Sequence, residues 1–238
     1  MNDVAIVLAG GNGSRMKSSV AKQFMELDGK PLICYSLEAF EHSNVSKVIL
    51  VTKEDFVEYC RNDIVHKYGY KKVTDIVCGG KERYDSVYNG LKGAKGADYV
   101  YIHDGARPFV TTRLINSMMD EVRNKKALVA AVPCKDTIKF ADKDGYVADT
   151  PDRSSLWSVQ TPQAFEYGLI MNAYENMMSD EHDGITDDAM VLEQYGDHKV
   201  KLFMGEYTNI KITTPDDIIA GENFLKKLKI SVDNYRLR

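Results

Sequence analysis

Apolar residues follow two alternating rhythms along the first half of the chain. The unbroken run Val4-Ala5-Ile6-Val7-Leu8 reads as a strand buried on both faces, and Lys47 to Thr52, Val73 to Val77 and Tyr99 to Ile102 read as the next three strands. Between them, apolar positions recur at helical spacing. One set is Leu32, Ile33, Leu37 and Phe40, with Pro31 in the first turn where proline is tolerated. The others are Phe56, Val57, Cys60, Ile64 and Val65, then Tyr84, Val87, Leu91 and Ala94. Leu114, Ile115, Met118, Met119 and Val122 mark a further helix after Thr111-Thr112, and Leu128 to Val132 a further strand. Strands alternating with helices at these lengths predict right-handed βαβ units and a mainly parallel sheet.

The pattern then changes. Residues 136–149 read as two short strands around the Asp142-Lys143-Asp144-Gly145 turn. Such a hairpin cannot form a core alone, so it is expected to project and pack on something else. The segment Trp157 to Phe165 follows, then a helix around Leu169 to Met177 and one after Thr186 ending near Gly196. Strands are expected at Lys199 to Phe203 and Asn209 to Thr213, and a last helix with Thr214 as N-cap and Pro215 in its first position. The predicted fold class is α/β: one Rossmann-like domain over 1–238 with a mainly parallel twisted sheet, helices on both faces, and a projecting β-hairpin arm at about 136–160.

Composition narrows the function without naming it. The 238 residues carry 31 Lys plus Arg against 35 Asp plus Glu, a net charge of −4. This argues against general nucleic-acid binding but leaves room for a local basic pocket. Cys34, Cys60, Cys78 and Cys134 form no C-x-x-C pair, which fits unpaired thiols in a reducing, cytoplasmic setting. The apolar run Val4 to Ala9 is too short for a membrane span or signal sequence.

The most informative segment is Leu8-Ala9-Gly10-Gly11-Asn12-Gly13-Ser14-Arg15-Met16, with Lys22 beyond it. Glycines after a first strand let backbone approach a ligand and aim N–H groups at phosphates. No Gly-Lys-Ser/Thr closes the loop as in a Walker A sequence, and Met16 stands where a dinucleotide fingerprint has its third glycine. Arg15 and Lys22 suit a polyphosphate, and solvated surface charges are the alternative.

Gly-x-Gly-x-Arg-Met followed by Lys-Gln resembles the triphosphate loop of nucleotidyltransferases that activate sugars and alditols. Four more segments occur in order: Gly79-Gly80-Lys81-Glu82-Arg83-Tyr84-Asp85-Ser86-Val87, His103-Asp104-Gly105-Ala106-Arg107-Pro108, Asp152 to Gln163, and Thr186-Asp187-Asp188-Ala189 with Asn209-Ile210-Lys211-Ile212-Thr213. Together they resemble the 2-C-methyl-D-erythritol 4-phosphate cytidylyltransferases of the non-mevalonate isoprenoid pathway, over about residues 3–225.

The resemblance implies transfer of a cytidylyl group from CTP to a polyol phosphate, with Mg²⁺ as cofactor. It implies that Ala9, Gly10, Gly11 and Gly13 line the nucleotide and that Gly80, Lys81 and Ser86 hold the cytosine and its surroundings. Arg15 and Lys22 would contact the triphosphate. Asp104 would lie by the phosphates and order Mg²⁺, directly or through water. Arg107, Thr137, Arg153, Thr161 and Thr186 would serve the acceptor, and Lys211 would be a second phosphate cation. Arg15, Lys22, Arg153 and Lys211 are the catalytic candidates. The family's arm crosses to the partner subunit, so a homodimer is implied, with Thr137 and Arg153 serving the neighbour's site.

Simpler readings stand beside these. His103 buttresses a strand end rather than acting as a base. Asp187 and Asp188 satisfy a helix dipole, and Lys81, Glu82 and Arg83 form a solvated helix start. Two positions depart from the family pattern: Ala21 replaces the proline before the loop lysine, and Thr208 replaces an Asp two residues before Ile210-Lys211. A ribitol 5-phosphate cytidylyltransferase would share most of these motifs, and a non-catalytic nucleotide-binding regulator is a third reading.

Overall fold

A computed structural model describes the backbone of residues 1–11 and 21–236, and side chains as far as residue 226. Strand β1 (Asp3–Ala9) is buried on both faces, and its side chains alternate between two cores. Ala5, Val7 and Ala9 enter one core, and Val4 and Ile6 the other, as the period of two requires. The short pair β2 (Glu26–Leu27) and β3 (Lys30–Pro31) follows. It turns through Asp28 (φ 53°) and Gly29 (φ 75°), the positive pair that a two-residue hairpin of matching twist needs. Helix α1 (Leu32–Glu41) begins one residue later than the proline suggests, because Pro31 keeps an extended ψ of 137°.

Strand β4 (Lys47–Thr52) leads to α2 (Val57–Tyr59), which widens into a π-helical stretch over Cys60–His66. The apolar spacing predicts an ordinary α-helix there. Strand β5 (Val73–Cys78), helix α3 (Arg83–Gly93) and strand β6 (Tyr99–Asp104) complete the first half. Helix α4 (Thr112–Lys125) is capped by the Thr111 hydroxyl, which accepts from the Leu114 N–H at 3.1 Å. Strand β7 (Ala127–Pro133) then runs out to a separate two-stranded sheet, β8 (Phe140–Ala141) and β9 (Val147–Asp149). In the turn between them, Asp142 Oδ1 accepts from the N–H groups of Asp144 and Tyr146 at 3.0 and 2.9 Å, and Gly145 takes φ 85°.

The chain returns from this hairpin as β10 (Trp157–Glu166). With no crossover helix, β10 lies antiparallel between β6 and β7. Helices α5 (Tyr167–Met178) and α6 (Asp188–Tyr195), strand β11 (Lys201–Met204) and helix α7 (Pro215–Arg236) complete the fold. The main sheet has seven strands in the order β11-β7-β10-β6-β1-β4-β5, all parallel except β10. Its two faces are covered by separate apolar clusters. One takes side chains from α1, the α2 region and α4, and the other from α3, α5 and α6.

One expectation near the C-terminus changes. Residues 209–213 are not a strand: the Ile212 N–H donates to the Ala106 carbonyl at 2.8 Å, one crossing bond without a ladder. Helix α7 starts at Pro215 with Thr214 in the N-cap position, and Asp217 in its first turn reaches back, its Oδ2 accepting from the Thr213 and Thr214 N–H groups at 2.8 Å. No helix among the described residues is long and apolar enough to cross a membrane.

Candidate active site

From β1 the chain crosses to β4 on one side, whereas α3 carries it back to β6 on the other. The carboxyl ends of β1 and β6 therefore diverge around a crevice, the usual place for a ligand in an open α/β sheet. Gly10 and Gly11 leave β1 there, and Asp104 ends β6 there.

The glycine turn is pinned from behind. The Ala9 carbonyl accepts from Gln23 Nε2 and from Thr52 Oγ1. Gln23 and Phe24 are buried beside Lys22 in one 3₁₀ turn, with Phe24 against the rings of Phe56 and Tyr59. Lys22 is thus carried on an anchored turn, and its stem runs past Gly11. A Cβ at Gly10 would meet Ser86 Oγ at an ordinary 3.7 Å, so packing of the described residues does not demand glycine there. At Gly80 it does, since a Cβ would stand 2.2 Å from Asp85 Cβ. The Gly79-Gly80 turn lies directly on the first turn of α3, where Gly80 N–H donates to Ser86 Oγ at 3.1 Å.

The end of β6 is held by a chain of polar bonds. The Asp104 N–H donates to Thr161 Oγ1 at 3.0 Å. His103 Nε2 faces the Arg107 carbonyl at 3.2 Å, which can only accept, so Nε2 carries the proton of the neutral ring, and Nδ1 accepts from the Thr161 hydroxyl at 3.0 Å. Burial pushes the His103 pKa down to about 4, so the neutral ring suits its place. His103 is a buttress, and the Thr161 hydroxyl carries a structural duty as well as lining the crevice.

Asp104 Oδ1 accepts from Arg83 Nε at 3.2 Å and Oδ2 from Lys211 Nζ at 2.7 Å. Burial opposes its charge, but Arg83, Lys211 and Arg107 outweigh that and hold the carboxyl well below the usual range. Arg107 donates to the carbonyls of Asn209 and Val159 at 2.8 and 3.3 Å, which ties the β6 loop to β10 and to the 209–213 segment. Its Nε is buried with no hydrogen-bond partner among the described residues.

Two cavities meet at this cluster, sharing Arg83, Asp104 and Lys211. The first, about 210 Å³, is lined by Lys22, Lys81, Arg83 and Lys211 against Glu82 and Asp104, an excess of positive charge suited to a polyphosphate. The second, about 600 Å³, sets Arg83, Arg107 and Lys211 against Asp104, Asp187 and Glu193. Balanced charge with hydroxyl and amide groups at Gln160, Thr161, Gln163 and Thr186 suits a polyol carrying one phosphate.

Of the residues singled out in the sequence, Gly10, Gly11, Lys22, Gly80, Lys81, Ser86, Asp104 and Lys211 line the first cavity. Asp104, Arg107, Thr161, Thr186 and Lys211 line the second. Thr137 and Arg153 lie on the exposed arm and line neither, and Arg153 donates to the Lys135 carbonyl at 3.2 Å. Gly13 and Arg15 lie outside the described residues. Arg83 and Asp188 correct the simpler reading: they form a two-pronged ion pair at 2.9 and 2.8 Å, not a solvated helix start. For Arg83 a signal existed, because a cation in the first turn of a helix is opposed by the dipole and calls for a partner. For Asp188 none did, since acids are at home in that position.

Residues 4–227 match the family model described as 2-C-methyl-D-erythritol 4-phosphate cytidylyltransferase. A protein of that name from Lachnoclostridium phytofermentans is 50% identical over 223 residues, covering 94% of this chain and 96% of the relative. One from Clostridium botulinum is 48% identical over 225 residues, covering 94% and 97%. The crystal structure of 4-diphosphocytidyl-2C-methyl-D-erythritol synthase from Anaerococcus prevotii superposes with a TM-score of 0.82 at 36% identity, covering 94% of this chain and 96% of that one. The chain belongs to the 2-C-methyl-D-erythritol 4-phosphate cytidylyltransferase family.

Proposed function

We propose that the chain transfers the cytidylyl group of CTP to 2-C-methyl-D-erythritol 4-phosphate and releases pyrophosphate. The observation that carries this reading is the pair of cavities meeting at Asp104, Arg83 and Lys211, one rich in cations and one balanced and polar. An acceptor phosphate has a second pKa of about 6, so it reaches the site as an anion and needs no general base. Its oxygen forms a bond to the α-phosphorus of CTP as the bond to the bridging oxygen breaks, and the leaving pyrophosphate takes the electron pair. The barrier is charge and alignment, which positioned cations and N–H groups lower.

On this reading the Gly10 and Gly11 backbone and Lys22 hold the triphosphate, together with Gly13 and Arg15. Ala9, Gly80, Lys81 and Ser86 border the base. Lys211, at the boundary of the cavities, draws the two phosphates together, and Arg107, Thr161 and Thr186 orient the acceptor. Asp104 would offer Mg²⁺ one oxygen ligand rather than a bidentate grip, because both its oxygens already face cations. That suits an ion drawing its other ligands from phosphate oxygens and water, and Mg²⁺ would supply charge neutralisation there.

The arm supports a homodimer. Phe140, Tyr146 and Val147 are 57%, 74% and 62% exposed, an apolar surface that a second copy would cover. Thr137 and Arg153 would then complete the partner's site. The unpaired Cys34, Cys60, Cys78 and Cys134 fit a cytoplasmic setting. The test is pyrophosphate release when methylerythritol phosphate is added to the protein with CTP and Mg²⁺. Release that depends on this acceptor is expected, and none under saturating CTP overturns the reading.

A further inference from the structure

Arg83 belongs to the walls of both cavities. Its Nε reaches Asp104, while its two terminal nitrogens grip both oxygens of Asp188. A two-pronged contact fixes the plane of a guanidinium as well as its position. Asp188 is itself fully buried and held from three elements. The Tyr174 hydroxyl of α5 donates to its Oδ1 at 2.7 Å. Gln163 Oε1 of β10 accepts from the N–H groups of Asp188 and Ala189 at 3.0 and 2.9 Å, which fixes the start of α6. Gln163 Nε2 is oriented in turn by Asp187 Oδ2 at 2.9 Å. On the far side, Asp104 passes the constraint to Lys211 through its other oxygen.

A buried ion pair gains little net stability over an apolar pair of similar volume, so stability is a weak reason to build one. The guanidinium that Asp188 fixes is the one that reaches Asp104 Oδ1. We propose that Arg83 is a positioning residue for cytidylyl transfer, anchored by Asp188, and that it acts by holding Asp104 so that the Lys211 ammonium sits at the boundary of the two cavities. This rests on the function proposed above. Substitution of Arg83 should therefore slow turnover more than it weakens nucleotide binding. Asp188, lying outside both cavity linings, should act on turnover only through Arg83.

The experiment is steady-state pyrophosphate release by the full chain for Arg83→Lys, Arg83→Gln, Asp188→Asn and the double variant Arg83→Gln/Asp188→Asn, each checked for folding by thermal unfolding. Asp188→Asn is expected to lower kcat by about tenfold or more with the KM for CTP changed by less than about threefold. Arg83→Lys should recover little of the loss, since an ammonium restores charge without the fork. The double variant should turn over no more slowly than Arg83→Gln alone, the mark of two residues acting in series. Near-wild-type kcat in folded Arg83→Gln, full rescue by Arg83→Lys, or additive losses in the double variant would each overturn the proposal. If the charge variants do not fold, Tyr174→Phe, which removes one bond to Asp188, should lower kcat several-fold at unchanged KM, and wild-type kcat there overturns it. A wild-type chain that releases no pyrophosphate overturns the proposed function and this inference with it, whereas an active wild-type chain with undiminished Arg83→Gln overturns this inference alone.

Discussion

Asp104, His103 and Thr161 divide the labour at the end of β6: one carboxylate faces the cations while a hydroxyl and a neutral ring lock the backbone behind it. The ring has a measurable cost at low pH. The pKa of His103 falls from 6.5 to about 4 on folding, so between those values the unfolded chain binds the extra proton and the folded one does not. Stability is therefore full above pH 6.5 and declines as pH falls towards 4, by about 3 kcal/mol for this group. Urea unfolding of wild type and His103→Asn across that window should show a steeper fall for wild type, and parallel curves would remove the assignment. At Gly80 a methyl group would collide with Asp85, so Gly80→Ala should lose about 1–3 kcal/mol or weaken CTP binding as the turn shifts. A variant unchanged in both, by unfolding and calorimetric titration, would mean the turn yields freely. Lys22 was legible as a cation close behind a glycine loop that follows the first strand, whereas Asp104 and Lys211 were legible only through the motifs that resemble the family. For Arg83 the dipole-opposed cation was a signal that went unread, and for Asp188 there was none, because its significance lies in a contact across 105 positions of sequence.

At the scale of elements, strands buried on both faces were read with ease: β1 sends alternate residues into two cores, which makes its whole length apolar. The β2–β3 hairpin was missed because two residues on each side of Asp28-Gly29 leave no alternation to detect. Residues 209–213 misled because Ile210 and Ile212 alternate as in a strand, yet the segment packs on Phe109 and α7 and joins the loop after β6 through the backbone bond from Ile212 to Ala106 rather than through a ladder. The hairpin arm was legible from its turn, and its purpose is testable. Mixing Arg153→Ala with Lys22→Ala subunits, each inactive alone, should restore activity to about a quarter of the wild-type sites if each site draws Arg153 from the neighbour. Mixed dimers that recover nothing would contradict that exchange.

For the whole molecule, a net charge of −4 conceals a first cavity in which cations outnumber carboxylates. The parallel sheet places that cavity at its switch point, and the single antiparallel strand, β10, carries Gln160, Thr161 and Gln163 to the second cavity beside it. Strand β10 loses register with β7 between Val159 and Gln163, the kind of irregularity that re-aims side chains next to a site. For the proposed cytidylyl transfer to a polyol phosphate, acceptor choice is the most exposed part. The direct measurement is competition: methylerythritol phosphate and ribitol 5-phosphate offered together with CTP and Mg²⁺, and the two cytidine diphosphate products quantified by mass. The methylerythritol product is expected to dominate, and pyrophosphate to appear in equal amount with total product. Dominance of the ribitol product, or CTP consumed without either product, would contradict it.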